Sequence, residues 1–239
     1  MQTKHIGIVA CSAEGAALCF REIAAHSLKF MGEHMHPQIT LSCIPLGEWM
    51  PAFNRGDYAG VAELMLRETR IVAQAGAQLA ICPDNSAHLA FDIVTARSPI
   101  PWLHIAAEVA KVAVRNGYRH AALLGTRFTM RGPVYPEMFG KFGLKITAPA
   151  EADQKLVDDI IFEELVNGVI REESRLRYNE VVARMQGRGC DCVILGCTEI
   201  PLLVRTDDCP LPTLDSTRLL AHAAVEWALQ TDSASGLCR

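Results

Sequence analysis

The stretch GAQLAICPDNS, residues 76–86, decides the fold once it is laid against GCDCVILGCTE, residues 189–199. Each opens on a glycine suited to close a helix in the left-handed conformation. Each then crosses an apolar run of strand length and leaves it through a polar turn. The two align without a gap, 113 positions apart (189 against 76), so that Asp84 falls on Cys197, Asn85 on Thr198 and Ser86 on Glu199. A second pair, KHIGIVACS from Lys4 and RHAALLGTR from Arg119, aligns at 115 positions (119 against 4). The first half of the chain therefore echoes the second, the pattern a duplicated structural unit leaves.

Outward from these anchors, the strand-like runs IGIVA, ITLSCI, LAIC, AALLG, CVILG and a short PTL alternate with segments of helical period at 16–30, 58–75, 104–116, 133–142, 155–167, 172–186 and 216–229. Gly76, Gly117, Gly143, Gly168 and Gly187 stand where five of these helices end. Runs such as CVILG are apolar on both faces, which suits a parallel sheet covered by helices on each side. The prediction is an α/β fold of two similar Rossmann-like lobes with mostly parallel sheets, related by a pseudo-twofold. The lobes are expected at 1–100 plus 216–239 and at 101–215. Ligands of open parallel sheets bind beyond the carboxyl ends of the strands, so both polar turns should face one inter-lobe cleft.

Composition narrows the partners. Of 239 residues, 50% are hydrophobic and 21% charged, the profile of a chain with ample core. A formal charge of -4 and the lack of any Lys/Arg-rich run argue against nucleic acid or an anionic membrane surface. No apolar run reaches the roughly 18 residues that span a bilayer. The N-terminal IGIVA reads as a strand rather than as a signal-peptide core, because Glu14 interrupts the apolar region. Nine scattered cysteines, an odd number, fit reduced thiols in a cytoplasm better than a disulfide framework. Cys190, Cys192 and Cys197 form the one close group, but no His sits at ligand spacing and strand alternation splits the sulfurs, so no metal or other cofactor is expected.

A carboxyl and a thiol on opposite faces of one carbon form an acid–base pair, one removing a proton while the other supplies one. Asp84 and Cys197 are the candidates for it, with backbone N–H groups and side chains of Asn85, Ser86, Thr198 and Glu199 available to hold a substrate carboxylate and the negative charge that develops. Singly, each residue has a plainer reading: Asp84, Asn85, Ser86 and Thr198 as caps, Cys197 as a packed thiol, Glu199 as a complement to a helix dipole, and His88, His104 and His222 as structural histidines. The matched register of two titratable groups favours the chemical reading.

At CPDNSAH and LGCTEIPLL the chain resembles the aspartate/glutamate racemase superfamily, in its aspartate-racemase-like branch. AGAQLAI, IPWLHIAAEVA, ALLGTRFTM, IIFEEL and LPTLDSTRLLAHAAVEWAL extend the resemblance over nearly the whole sequence. It implies an amino-acid racemase that moves a proton without a cofactor, acting on a small amino acid or carboxylate with aspartate or glutamate as the default, and commonly a homodimer. Typical members carry a cysteine in both turns. Here Cys197 keeps the second, and Asp84 takes the first. Cys82 is a poor substitute, since it falls on Leu195 inside the partner strand. The N-terminal turn also departs from the family's glycine-rich form, reading Ala10-Cys11-Ser12-Ala13-Glu14, which implies that Ser12 and Glu14 alter one cleft wall. Arg55 and Arg127 are candidates for holding a distal carboxylate. An unperturbed carboxylate is a far weaker base than a thiolate, so the two faces need not be equally competent. Two other readings keep the fold. One is a single-cysteine decarboxylase, isomerase or lyase of a small dicarboxylate; the other is a non-catalytic carboxylate binder.

Overall fold

The computed structural model describes residues 3–230. Its first sheet is built from β1 (Ile6–Ala10), followed by helix α1 (Ala13–Met31), β2 (Ile39–Cys43), α2 (Leu46–Arg55), α3 (Tyr58–Gln74) and β3 (Leu79–Ile81). The 3-10 turn Ser86–Ala90, α4 (Phe91–Thr95) and α5 (Ile105–Arg115) lead to the second sheet. That sheet opens with β4 (His120–Gly125), α6 (Arg127–Arg131), α7 (Val134–Lys141), β5 (Lys145–Thr147) and α8 (Glu151–Asp159). A π-helical turn (Ile160–Glu164) and a 3-10 turn (Leu165–Asn167) continue α8. Then come α9 (Glu172–Gly187), β6 (Cys192–Gly196), α10 (Ile200–Leu203), β7 (Thr213–Asp215) and α11 (Ser216–Leu229).

All pairings are parallel, in the orders β2-β1-β3 and β5-β4-β6-β7. The three strands of the first sheet match β5, β4 and β6 of the second. The place of β7 is taken in the first sheet by residues 101–103, which bridge to Ala80. The duplication reaches single bonds. His5 Nε2 meets Thr40 Oγ1 at 2.9 Å across β1–β2, and His120 Nε2 meets Thr147 Oγ1 at 2.8 Å across β4–β5.

Each sheet is covered on both faces, which is why its inner strands are largely apolar while the edge strands β2 and β5 carry polar residues. β1 and β6 are wholly buried. On one side of the first sheet, Ile6, Ile8 and Leu79 pack with Cys19 and Ile23 of α1 and with Leu220, Ala224 and Val225 of α11. On the other, Val9 and Cys82 pack with Trp49 and Phe53 of α2 and Met65 of α3. The second sheet is likewise sandwiched. Cys192 lies in the core with α5 and α7 and Cys190 in the opposite core with α9; Cys190 precedes β6, so the irregular step at 190–191 rather than strand alternation separates those two sulfurs.

Several expectations need correction. Helix α2 and strand β5 were not anticipated. The segment at 155–167 begins earlier, at Glu151, and ends as π and 3-10 turns rather than as one α-helix. Gly76, Gly117, Gly143 and Gly168 do adopt positive φ. Gly187 does not; it is the last residue of α9, and Gly189 (φ 84°) makes the left-handed turn instead.

Candidate active site

The carboxyl ends of β1, β3, β4 and β6 all empty into one place. Ser12 follows β1 and caps α1, its Oγ accepting from the Gly15 N–H. Asp84 and Ser86 follow β3, Thr126 follows β4 and caps α6, and Cys197 and Glu199 follow β6. These six side chains form the polar part of a cavity of about 380 Å³, its open mouth included. Loops at strand ends serve this purpose because the strands fix their roots while the turns remain free to carry polar groups.

Asp84 does two things at once. Its Oδ1 accepts the Ala87 N–H, three residues on, at 2.9 Å, a local side-chain cap on the turn that follows, and its Oδ2 accepts the thiol of Cys11 at 2.8 Å. Burial raises the Asp84 carboxyl above the ordinary aspartate range, while the Cys11 thiol and the Ala87 N–H pull against that rise. Cys11, at the end of β1, is itself buried. Burial and the neighbouring Asp84 push its thiol well up, so it stays protonated and donates.

On the opposite side Cys197 donates to Glu199 Oε2 at 3.0 Å. Its thiol is pushed well above the usual cysteine range, first by burial and then by the charge of Glu199. Glu199, itself 2% exposed, also accepts from Thr198 Oγ1 (2.6 Å) and, on Oε1, from Ser12 Oγ (2.6 Å). The Ser12 bond ties the first half of the chain to the second. α1 approaches so closely there that a Cβ on Gly15 would lie 2.4 Å from Thr198 Cβ. Ser86 makes a second tie, its Oγ 3.0 Å from Thr126 Oγ1 and 3.2 Å from Thr129 Oγ1.

The remaining candidates are placed as follows. Asn85 turns away from the cavity, giving Nδ2 to Ser216 Oγ at 3.0 Å and accepting the Tyr135 hydroxyl at 2.6 Å. Thr198 sits behind Glu199 rather than in the wall. Arg55 ends α2 on the surface, 65% exposed and beside Asp57. Glu14 is exposed in the first turn of α1. Cys82 is buried in the core with Trp49 and Phe53. Of the histidines, His88 is lowered to about 3, chiefly by burial, and is fixed by bonds to the Asp84 carbonyl and the Ile105 N–H. His104 caps α5, and His222 pairs with Glu22. None of the three lines the cavity.

Sequence reading missed Cys11 and Thr126 as site residues. The signal was present, because they are partners at the 115-residue spacing and each directly follows a strand. It also missed the apolar wall: Leu46, Met50 and Phe53 from α2, Phe128 from α6, Ile161 and Phe162 from the π turn, and Val166 from the 3-10 turn after it.

Two parallel sheets meeting at such a cavity have counterparts among known proteins, and the model of the Asp/Glu/Hydantoin racemase family matches residues 7–224. The chain belongs to this family. A Yersinia pestis protein assigned to the Asp/Glu racemases is 32% identical, with a TM-score of 0.85 over 95% of this chain and 100% of that one. An aspartate racemase homologue from Pyrococcus horikoshii OT3 is 26% identical, with a TM-score of 0.81 over 96% and 100%. Among curated sequences, the broad specificity amino-acid racemase RacX of Bacillus subtilis is 21% identical over 67% of this chain and 69% of its own. The two-lobed α/β racemase fold and the aspartate-racemase-like branch follow, and with them an isomerase of the racemase class. Among the described residues no helix is long and apolar enough to cross a membrane.

Proposed function

We propose that this racemase inverts the α-carbon of an amino acid without a cofactor, using Asp84 and Cys197 on opposite faces. One observation carries the reading: the carboxyl and the thiol line the same cavity from the ends of equivalent strands, β3 and β6.

In the forward step Asp84 takes the α-proton, and the C–H electron pair passes into the substrate carboxylate as an enediolate. Cys197 then delivers its thiol proton to the other face and is left as thiolate. A raised carboxyl pKa makes Asp84 a better base than an ordinary aspartate, and a protonated Cys197 is the matching acid. The hydroxyls of Ser86 and Thr126, which line the same cavity, would stabilise the enediolate. The reverse step starts from protonated Asp84 and a Cys197 thiolate, the state that burial and Glu199 disfavour. Enantiomers have equal free energy, so kcat/KM must match in both directions, and the asymmetry falls on kcat.

The same proposal takes 1–100 with 216–239 as one lobe and 101–215 as the other, supported by the packing of α11 into the core of the first sheet. It expects a homodimer in the cytoplasm, the dimer to be checked by sedimentation. Proton NMR in D2O with the purified chain and L- and D-amino acids tests the reaction. The α-proton signal should fade without loss of substrate. CO2 release from a small diacid would move the reading to a decarboxylase, and tight binding without exchange to a carboxylate binder.

A further inference from the structure

We propose that the substrate's α-substituent is apolar and uncharged, of the leucine, methionine or phenylalanine kind, rather than the acidic side chain that the family resemblance implies. The inference rests on the racemase reading of the same cavity.

A second carboxylate on the substrate needs a cation or a set of N–H donors, because a buried charge without a partner is strongly disfavoured. Among the described residues no Lys, Arg or His lines the cavity. The two arginines that sequence reading nominated are both engaged elsewhere. Arg55 stands on the surface beside Asp57. Arg127 lies against the two wall aromatics, its guanidinium carbon 4.5 Å from the Phe128 ring centre and 5.2 Å from that of Phe162. It is held there by Asp158 at 2.8 Å and by Asn54 at 3.2 Å.

The charges that do line the cavity have the wrong sign for a diacid. Asp84 and Glu199 are both acids, and with the α-carboxylate of the substrate already among them a distal carboxylate would add a fourth. What faces the rest of the substrate is Leu46, Met50, Phe53, Phe128, Phe162 and Val166, a thioether, two aliphatic and three aromatic side chains. Such a wall gains with each methylene it covers, roughly 10- to 200-fold in specificity per group. The polar groups sit at the strand ends, where the α-carbon and its carboxylate belong, so the cavity is divided into a reacting pole and a substituent pole.

The test uses the full chain in D2O with leucine, methionine and phenylalanine against aspartate and glutamate at equal concentration, read by loss of the α-proton signal. The apolar set should exchange at least about 100-fold faster. Equal or faster exchange of the acidic pair overturns the proposal. If no amino acid exchanges, the racemase reading fails by itself, and the cavity is read by thermal shift. Stabilisation by the apolar amino acids over the diacids then sustains the assignment, and the reverse order or no stabilisation overturns it. Val166→Arg, checked for a native thermal transition, adds a cation to the wall. The leucine-to-aspartate ratio should fall at least about 10-fold, and an unchanged ratio means that this wall does not touch the substituent.

Discussion

Each half of this racemase pairs a thiol with a carboxyl, but the two pairs are placed differently. In the second half the thiol of Cys197 and the Glu199 carboxylate that accepts its hydrogen bond both line the cavity. In the first half the carboxyl of Asp84 faces the cavity, while the thiol, Cys11, stands behind it as donor. A duplicated scaffold thus holds two chemically unlike acid–base groups at equivalent places. Asp84 nonetheless keeps a thiol within hydrogen-bond reach, standing behind the carboxyl as its support.

This contrast can be broken most directly by removing the two groups that face the cavity. Cys197→Ala and Asp84→Asn should each lower turnover by about 100- to 10,000-fold, the usual worth of a positioned general acid or base. Deuterium exchange on a reactive amino acid measures it, and full activity in either variant ends the two-base mechanism. Making the halves alike is the next test. Asp84→Cys should keep exchange and bring the two directional kcat values together; a kcat ratio that stays as in the parent would show that the asymmetry does not come from the carboxyl.

The smallest effect concerns the supporting thiol. Cys11 lowers the Asp84 pKa by stabilising the carboxylate, so Cys11→Ala should raise it. The limb on which activity grows as Asp84 loses its proton then moves to higher pH. At its plateau kcat in the direction where Asp84 is the base should rise by up to about 2- to 5-fold, since the carboxylate loses the stabilisation of a hydrogen bond of roughly 0.5–1 kcal/mol and becomes a stronger base. Cys11→Ser should restore the profile, which a purely packing role for the sulfur does not predict.

Much of this was legible in the chain. Six of seven strands announce themselves as apolar runs, and α11 (Ser216–Leu229) has the bounds its periodicity indicates. β5 is silent because Lys145–Thr147 is a three-residue edge strand with little burial, so it needs no apolar run. α2 is hidden by Gly47 and Pro51, which read as breakers although packing of Trp49 and Phe53 overrides them. That omission mattered, since α2 supplies three residues of the apolar wall. The pairing of Asp84 with Cys197 came from register alone. The repeat also marks Cys11 as the partner of Thr126, but its hydrogen bond to Asp84, between residues 73 positions apart, required coordinates. Glu199 was a candidate from its place in the second turn, and coordinates added its role as acceptor for Cys197.

The π turn at Ile160–Glu164 has a consequence for how this cavity can change. A π turn holds one residue more than the α turn it replaces. Deleting a residue there would return the segment to a regular α turn while leaving the chain on either side close to where it stands, because the wide turn already absorbs the extra residue. The change would fall on Ile161 and Phe162, which the wide turn carries into the cavity wall. The shape of the apolar wall is therefore set by the length of the chain between Asp159 and Leu165 as well as by side chains, so loss of one residue there can reshape the wall without disturbing the rest of the fold.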